Sequence, residues 1–124
     1  MKIIIAGGRD ITDPNIVMLA MAHSGWVPTE VVSGGASGVD TLGEQWAAQY
    51  GFPVRRFPAD WKRHGNAAGP IRNGEMAAYA EALVACWDGK SRGTFNMIQR
   101  AIEHDRLVYT YRLDRPNTPR SVEV

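Results

Sequence analysis

Residues 30 to 51, EVVSGGASGVDTLGEQWAAQYG, decide how the chain is read. A short apolar run, Glu30–Ser33, halts at Ser33-Gly34-Gly35, and a further glycine, Gly38, precedes a stretch of different periodicity. There Val39, Leu42, Trp46 and Tyr50 recur at helical spacing on one side, and Gly51 is a natural stop. The stretch therefore reads as strand, glycine loop, helix. Glycines at 34, 35 and 38 favour neither flanking element, because each loses more backbone entropy on folding than a residue with a side chain. Bare backbone here must serve a tight turn, a close packing contact, or a ligand lying on peptide N–H groups.

Working outward, the same unit recurs. Lys2–Ala6, Val54–Phe57, Ala82–Trp87 and Leu107–Tyr111 are short and rich in Val, Ile or aromatics, as buried strands are. Asp13-Pro14 reads as an N-cap followed by proline at the first helical position, starting a helix that reaches about Ser24. Glu75 to Ala82 is alanine-rich with Met76, Tyr79 and Ala80 on one side, and Phe95, Ile98 and Ile102 mark a further helix ending near His104-Asp105. Alternating strands and helices predict an α/β, three-layer Rossmann-like fold with a mainly parallel five-stranded central sheet and right-handed crossovers. Residues 1–113 are expected to form this single domain, and 114–124, with Pro116 and Pro119, a loose C-terminal extension.

A length of 124 residues suits one domain, and 44% hydrophobic with 22% charged residues allows both a core and a solvated surface. The formal net charge of +1 argues against a dedicated nucleic-acid coat. The single cysteine, Cys86, cannot form an internal disulfide and suits a reducing cytosol, so a cytoplasmic location is expected. Ile3–Ala6 is too short a run for a membrane span or signal segment. His23 and His64 lack metal-ligand spacing, so no metal site is expected; no cofactor and no catalytic residue is assigned.

In a parallel sheet every loop from strand to helix emerges at the carboxyl edge, where ligands of such folds bind. Four loops share that edge: Gly7-Gly8-Arg9-Asp10-Ile11-Thr12; Ser33-Gly34-Gly35-Ala36-Ser37-Gly38; the long ADWKRHGNAAGPIRNG, residues 59 to 74; and WDGKSRGT, residues 87 to 94. A glycine-lined loop feeding a helix leaves unpaired N–H groups backed by the positive end of the helix dipole, a setting for phosphate. Small hydroxyls at Ser33, Ser37, Ser91 and Thr94 add donors, and Gly89 and Gly93 keep the fourth loop open. Gly34-Gly35-x-x-Gly38 lacks the spacing of both the dinucleotide fingerprint and the P-loop, so a tight turn with close helix packing explains it equally well in isolation. Asp40 either offsets the helix dipole or accepts hydrogen bonds from ribose hydroxyls. Gly69-Pro70 reads as a turn just ahead of a helix start, placing Arg72 to offer a bidentate fork to phosphate; a surface position or a pair with Glu75 is its bland alternative. On the ligand reading, Arg72→Ala is expected to weaken binding and leave the free fold's melting temperature unchanged. Trp61 could stack on a base, whereas Trp46 and Trp87 suit the core, and Arg55, Arg56, Lys62, Arg63 and His64 are mostly solvated, with Arg56, alternating on a buried strand, as the candidate exception.

Taken in order, GGRDITD, SGGASGVDTLGEQWA, AAGPIRNGEM and WDGKSRGTFNMI resemble the SLOG superfamily, most closely its YspA/YpsA-related branch of small Rossmann-like proteins. The resemblance covers nearly all of residues 1 to 105 and implies binding of a nucleotide or nucleotide-derived small molecule. The residues it points to are Gly7, Gly8, Arg9, Ser33, Gly34, Gly35, Ala36, Ser37, Gly38, Asp40, Arg72, Asn73, Gly89, Ser91, Gly93 and Thr94. GGASGVD is also similar to the loop of the DNA-processing proteins that load recombinase onto single strands. The superfamily's Lonely-guy phosphoribohydrolases carry an arginine before one helix, where Arg72 stands here, and a Gly-Gly-x-Gly-Thr-x-x-Glu motif, which Asp88–Thr94 resembles. Counted on from Gly93-Thr94, the glutamate position holds Met97, and a thioether can neither stabilise an oxocarbenium-like centre nor activate water. Asp40, Glu44 or Glu75 could replace it only if the fold sets it beside the sugar.

The leading expectation is thus a sensor or sequestering module for a nucleotide or ADP-ribose-like ligand. Cleavage of the N-glycosidic bond of a nucleoside monophosphate ranks second. Single-stranded nucleic-acid binding through the Arg55–Arg72 segment ranks last, because the charge is near neutral. A homo-oligomer paired through helices is implied by the resemblance alone; no sequence stripe identifies its interface.

Overall fold

The computed structural model describes residues 1–120. Its strands are β1 (Lys2–Gly7), β2 (Glu30–Ser33), β3 (Val54–Arg56), β4 (Ala82–Trp87) and β5 (Leu107–Arg112); its helices are α1 (Pro14–Ser24), α2 (Val39–Tyr50), α3 (Trp61–His64), α4 (Ala68–Tyr79) and α5 (Arg92–Glu103). All neighbouring strands pair in parallel, in the order β3-β2-β1-β4-β5. The expected α/β Rossmann-like architecture is what forms. The chain steps outward from β1 to β3 on one side, then returns to build β4 and β5 on the other. The crossing direction therefore reverses between β1 and β4, the place where such sheets open a crevice at their carboxyl edge.

Strand alternation divides the core. Ile3 and Ile5 of β1 point to one face with Val84 and Cys86, against Val17, Ala20 and Met21 of α1 and Val39 and Ala47 of α2. Ile4 and Ala6 point to the other with Leu83 and Ala85, against Met76 and Ala77 of α4 and Met97 and Ala101 of α5. β1 and β4 are buried on both faces, which is why they read as unbroken apolar runs. β3 is a short edge strand with little burial.

The punctuation behaves as its chemistry dictates. The Asp13 carboxylate accepts from the Asn15 amide with Pro14 at the first helical position, and Gly51 ends α2 in the left-handed region at φ 77°. The helical faces differ in detail. On α2 the residues flat on the sheet are Val39, Gly43 and Ala47; Leu42 and Trp46 flank them and Tyr50 is exposed. Gly43 lets α2 approach so closely that a Cβ there would lie 2.9 Å from Ile5 Cγ2. On α5 the buried line is Thr94, Met97 and Ala101, while Phe95 and Ile102 are exposed.

Two expectations are corrected. The segment from 59 to 74 is not one long loop: α3 and a single 3-10 turn, Gly65–Ala67, lead straight into α4. Gly69-Pro70 lies inside the first turn of α4, where proline is tolerated because its missing N–H would have no intrahelical acceptor. Arg72 is consequently a helical residue. The chain after Asp114 is not loose as far as residue 120: Tyr109 Oη donates to the Thr118 carbonyl, and the Arg120 backbone amide and Nε donate to the carbonyls of His23 and Ser24. Residues 121–124 of the expected extension lie outside the described residues.

Candidate functional site

Loops after β1, β2 and β4 and the N-terminal half of α4 meet at the carboxyl edge. The first two loops are locked together by backbone. Val39 N donates to Gly8 O at 3.1 Å, and Gly38, at φ 74°, lies so close that a Cβ would overlap Gly8 O and come within 2.6 Å of Arg9 Cα. Gly7 is pinned similarly, its missing Cβ replaced by Cys86 O and Val39 Cγ2 at 2.5 and 2.7 Å. These glycines are where they are because strand, loop and helix pack too tightly for any side chain.

Gly34 is enclosed for a different reason. A Cβ there would lie 2.5 Å from Arg72 Nη1 and 2.8 Å from Asp40 Oδ2. Arg72 Nη1 donates to Gly34 O at 2.7 Å and to Phe57 O at 3.4 Å, while its Nε donates to Asn73 Oδ1 at 3.0 Å. No ion pair forms between Arg72 and Glu75 among the described residues. Arg72 thus braces the loop after β2 from α4, and these bonds give its side chain a structural part that the sequence did not show. Burial lowers the proton affinity of Arg72, Asp40 nearby raises it, and the Arg9 charge lowers it further. The Asp40 carboxyl is 6% exposed; burial pushes its pKa up, outweighing the Ala36 amide hydrogen bond and the attraction of Arg72 and Arg9.

Not every expected donor remains open. Ser33 is buried; its hydroxyl donates to Glu44 Oε2 at 2.7 Å and accepts from Gly35 N at 3.1 Å. Glu44 in turn accepts from Arg56 Nε and Nη2 at 2.9 and 2.5 Å. Burial alone would raise the Glu44 pKa, but the Arg56 and Ser33 hydrogen bonds win and hold it low. The Ala36 amide goes to Asp40 Oδ2 at 3.2 Å. Among the described residues the amides of Ser37 and Gly38 meet no acceptor, and Gly35, at φ 72°, faces open space. This Ser33–Glu44–Arg56 chain escaped the sequence reading, since only the parallel register brings β3 beside the loop.

The loop after β4 carries its own anion. Asp88 Oδ1 accepts from the amides of Lys90 and Ser91, both at 2.8 Å, which holds its pKa below the usual carboxylate range. Ser91 caps α5, its Oγ accepting from Thr94 N at 3.4 Å and lying 3.1 Å from Thr94 Oγ1. A Cβ on Gly93 would enter open space, and its amide meets no acceptor among the described residues. Gly89, at φ 82°, leans on Arg112 instead. Asn73 is buried, its Nδ2 donating to Asn96 Oδ1 at 3.0 Å.

These pieces enclose a two-lobed cleft. One lobe, about 720 Å³, opens between the loops after β1 and β4 and has Met76 and Met97 in its floor; Gly7, Gly8, Arg9, Asp40, Arg72, Asn73, Ser91, Gly93 and Thr94 all border it. The other, about 670 Å³, lies between the loop after β2 and residues 56 to 61, with Gly34–Ser37 on its wall. Trp61, half exposed, stands at both with the Arg9 guanidinium 5.8 Å from its ring centroid. Of the carboxylates weighed against Met97, Asp40 alone faces the β1/β4 lobe; Glu44 faces the other and is tied to Arg56, and Glu75 faces neither. Among the described residues no three His, Cys, Asp or Glu side chains converge as metal ligands, and no helix is long and apolar enough to cross a membrane.

A family model, that of the YspA, cpYpsA-related SLOG family, matches residues 1–64, from β1 through both glycine loops to α3. The chain belongs to this SLOG family. The match covers the loops that build one wall of the cleft, and SLOG membership makes this a nucleotide-related Rossmann-like module. The chain is also 37% identical over 109 residues to the Gene 61 protein of Mycobacterium phage D29, spanning 81% of this chain and 87% of that relative. In fold it is similar to the X-ray structure of DNA processing protein A (DprA) from Streptococcus pneumoniae, with a TM-score of 0.68 and 20% identity. That similarity covers 88% of this SLOG chain, which spans about half, 49%, of DprA.

Proposed function

We propose that the cleft binds a nucleotide or nucleotide-derived small molecule, as a sensor or sequestering module, with phosphate received at the carboxyl edge. One observation supports this most. Arg9 and Arg72 border both lobes of the cleft at the reversal point of the sheet, neither within 4.0 Å of a carboxylate among the described residues, and Ser37 borders one lobe and Gly93 the other, each with an amide that meets no acceptor among the described residues. Cations and unfilled N–H groups that converge on solvent are what a phosphate completes. Ribose hydroxyls would meet Asp40, and Trp61 would offer its exposed face to a base.

The test is mass spectrometry of small molecules released by denaturing freshly purified protein, paired with thermal shifts in millimolar nucleotides. A nucleotide recovered at near-equal molar amount, or a clear rise in melting temperature, supports the reading. Protein that releases none and is stabilised by none contradicts it.

N-glycosidic cleavage is the second reading, favoured by Asp40, a buried carboxylate with raised pKa facing the lobe where a sugar would lie. Ribose 5-phosphate accumulating over many turnovers from nucleoside monophosphates, and lost in Asp40→Asn, would establish it. Binding without turnover would leave the module reading alone.

A further inference from the structure

We infer that two copies of this chain pair through the open edge of β5 and the outer flank of α5, about a two-fold axis beside Tyr109. Two five-stranded sheets then continue as one.

β5 closes one side of the sheet, and the amides of Leu107 and of Leu113, just past its end, donate inward to Glu81 O and Trp87 O. Strand alternation therefore turns the amides of Val108, Thr110 and Arg112 outward. Arg112 is already served: its amide donates to Asn117 Oδ1 and its carbonyl accepts from Asn117 Nδ2, each at 2.6 Å. Among the described residues the amides of Val108 and Thr110 meet no acceptor. From Leu107 to Tyr111 there is no charge, proline or bulge, the devices that protect a free edge. The opposite edge is protected, since β3 is three residues long and exposes Arg55 and Arg56.

The occupant is a second copy because the helix beside this edge is uncovered too. α5 packs on β4 and β5 and meets α4 through the Asn96–Asn73 bond. Helical spacing sets Phe95, Ile98 and Ile102 on the flank away from Asn96, out over the edge. Phe95 and Ile102 are exposed, and Ile98, like Val108, is only partly buried against the core. A two-fold axis half a strand spacing beyond β5 pairs Val108 with the partner's Thr110, so each open amide finds a carbonyl. It also sets the two copies of α5 antiparallel at about 10 Å, a distance at which helices pack. Phe95 then meets the partner's Ile102, and Arg92 nears the partner's Asp105. Neither Arg92 nor Asp105 has an ion-pair partner among the described residues of one chain. An extended peptide would fill the edge yet leave the apolar stripe in water. Because β3 offers no second open edge, the pairing closes at two copies.

Sedimentation equilibrium of the full chain, with amide hydrogen exchange read by NMR, tests the pairing. The parent should sediment as a dimer at micromolar concentration. Ile102→Glu, at an exposed position, should keep the parent's circular dichroism and raise the dissociation constant at least about thirtyfold. Thr110→Pro removes an outward N–H, spares the ladder to β4 and should weaken the dimer likewise. The Val108 and Thr110 amides should exchange at least about tenfold slower in the parent than in Ile102→Glu. A parent that stays monomeric at the concentrations used for NMR overturns the inference. So does a dimer that Ile102→Glu leaves intact, or one whose Val108 and Thr110 amides exchange freely. Species that grow beyond two copies overturn the closed pairing in favour of open association.

Discussion

The loops after β2 and β4 look alike in sequence, small residues and spaced glycines running into a helix, yet they are built on opposite principles. The first is held from outside itself: Arg72 reaches in from α4, Glu44 from α2, and the backbone of the β1 loop packs against Gly38. The second is held from within, by Asp88 on its own amides and Ser91 on its own helix. The carboxylates differ accordingly: Asp40 is buried and its pKa raised, whereas Asp88 is exposed and its pKa lowered. A glycine motif alone does not say whether its bare backbone faces a ligand or the protein.

Substitutions can break this contrast. The largest effect belongs to Gly38→Ala, which forces a side chain into the left-handed region at φ 74° and against Gly8 O and Arg9. It should cost about 3 kcal/mol or more by chemical denaturation, and a near-neutral result would mean the β1 and β2 loops are not locked together. Arg72→Ala comes next. It strands the Gly34 and Phe57 carbonyls and removes the cation beside Asp40, so a loss of about 2 kcal/mol is expected along with loss of ligand binding. Lost affinity with an unchanged melting temperature would show that Arg72 serves the ligand alone.

The two carboxylates should titrate with opposite sign. Asp40 has a folded-state pKa above its unfolded value near 3.8, so the folded state binds the proton more tightly and its ionisation costs stability as pH rises through that window. Asp88 has a folded-state pKa below 3.8, so its contribution is present above the unfolded value and disappears as pH falls through the folded one. Comparing the pH dependence of stability in Asp40→Asn and Asp88→Asn with the parent should show differences of opposite slope; slopes of the same sign would refute the assignment of environments. The smallest effect is a gain. Gly93 is helical with open space where a Cβ would sit, so Gly93→Ala should stabilise the free protein by about 0.5–1 kcal/mol. A loss there would mean that Gly93, too, is constrained by packing.

The sheet was readable because buried parallel strands are short apolar runs and their helices carry explicit stops: Asp13-Pro14, Gly51 and the bounds of Ala82–Trp87 all fall where local chemistry puts them. The start of α4 was not, because Gly69-Pro70 signals a break unless the chain before it is already turning helically. The clustering of the glycine loops followed from topology. The partners of individual groups did not: Ser33 and Asn73 read as ligand donors until α2 brings Glu44, with its Arg56 counter-ion from β3, against the first and α5 brings Asn96 against the second. Such contacts join residues far apart in sequence and leave no periodic trace.

Backbone amides and guanidinium groups report the claimed binding most directly, through ¹⁵N-resolved NMR of the full chain titrated with AMP and with ADP-ribose. The largest shifts are expected at the amides of Ser37, Gly38 and Gly93 and at the Nε of Arg9 and Arg72, with the α1–β5 side of the molecule unmoved. Saturating ligand that leaves those five signals in place, or moves signals only on the opposite edge of the sheet, would contradict it.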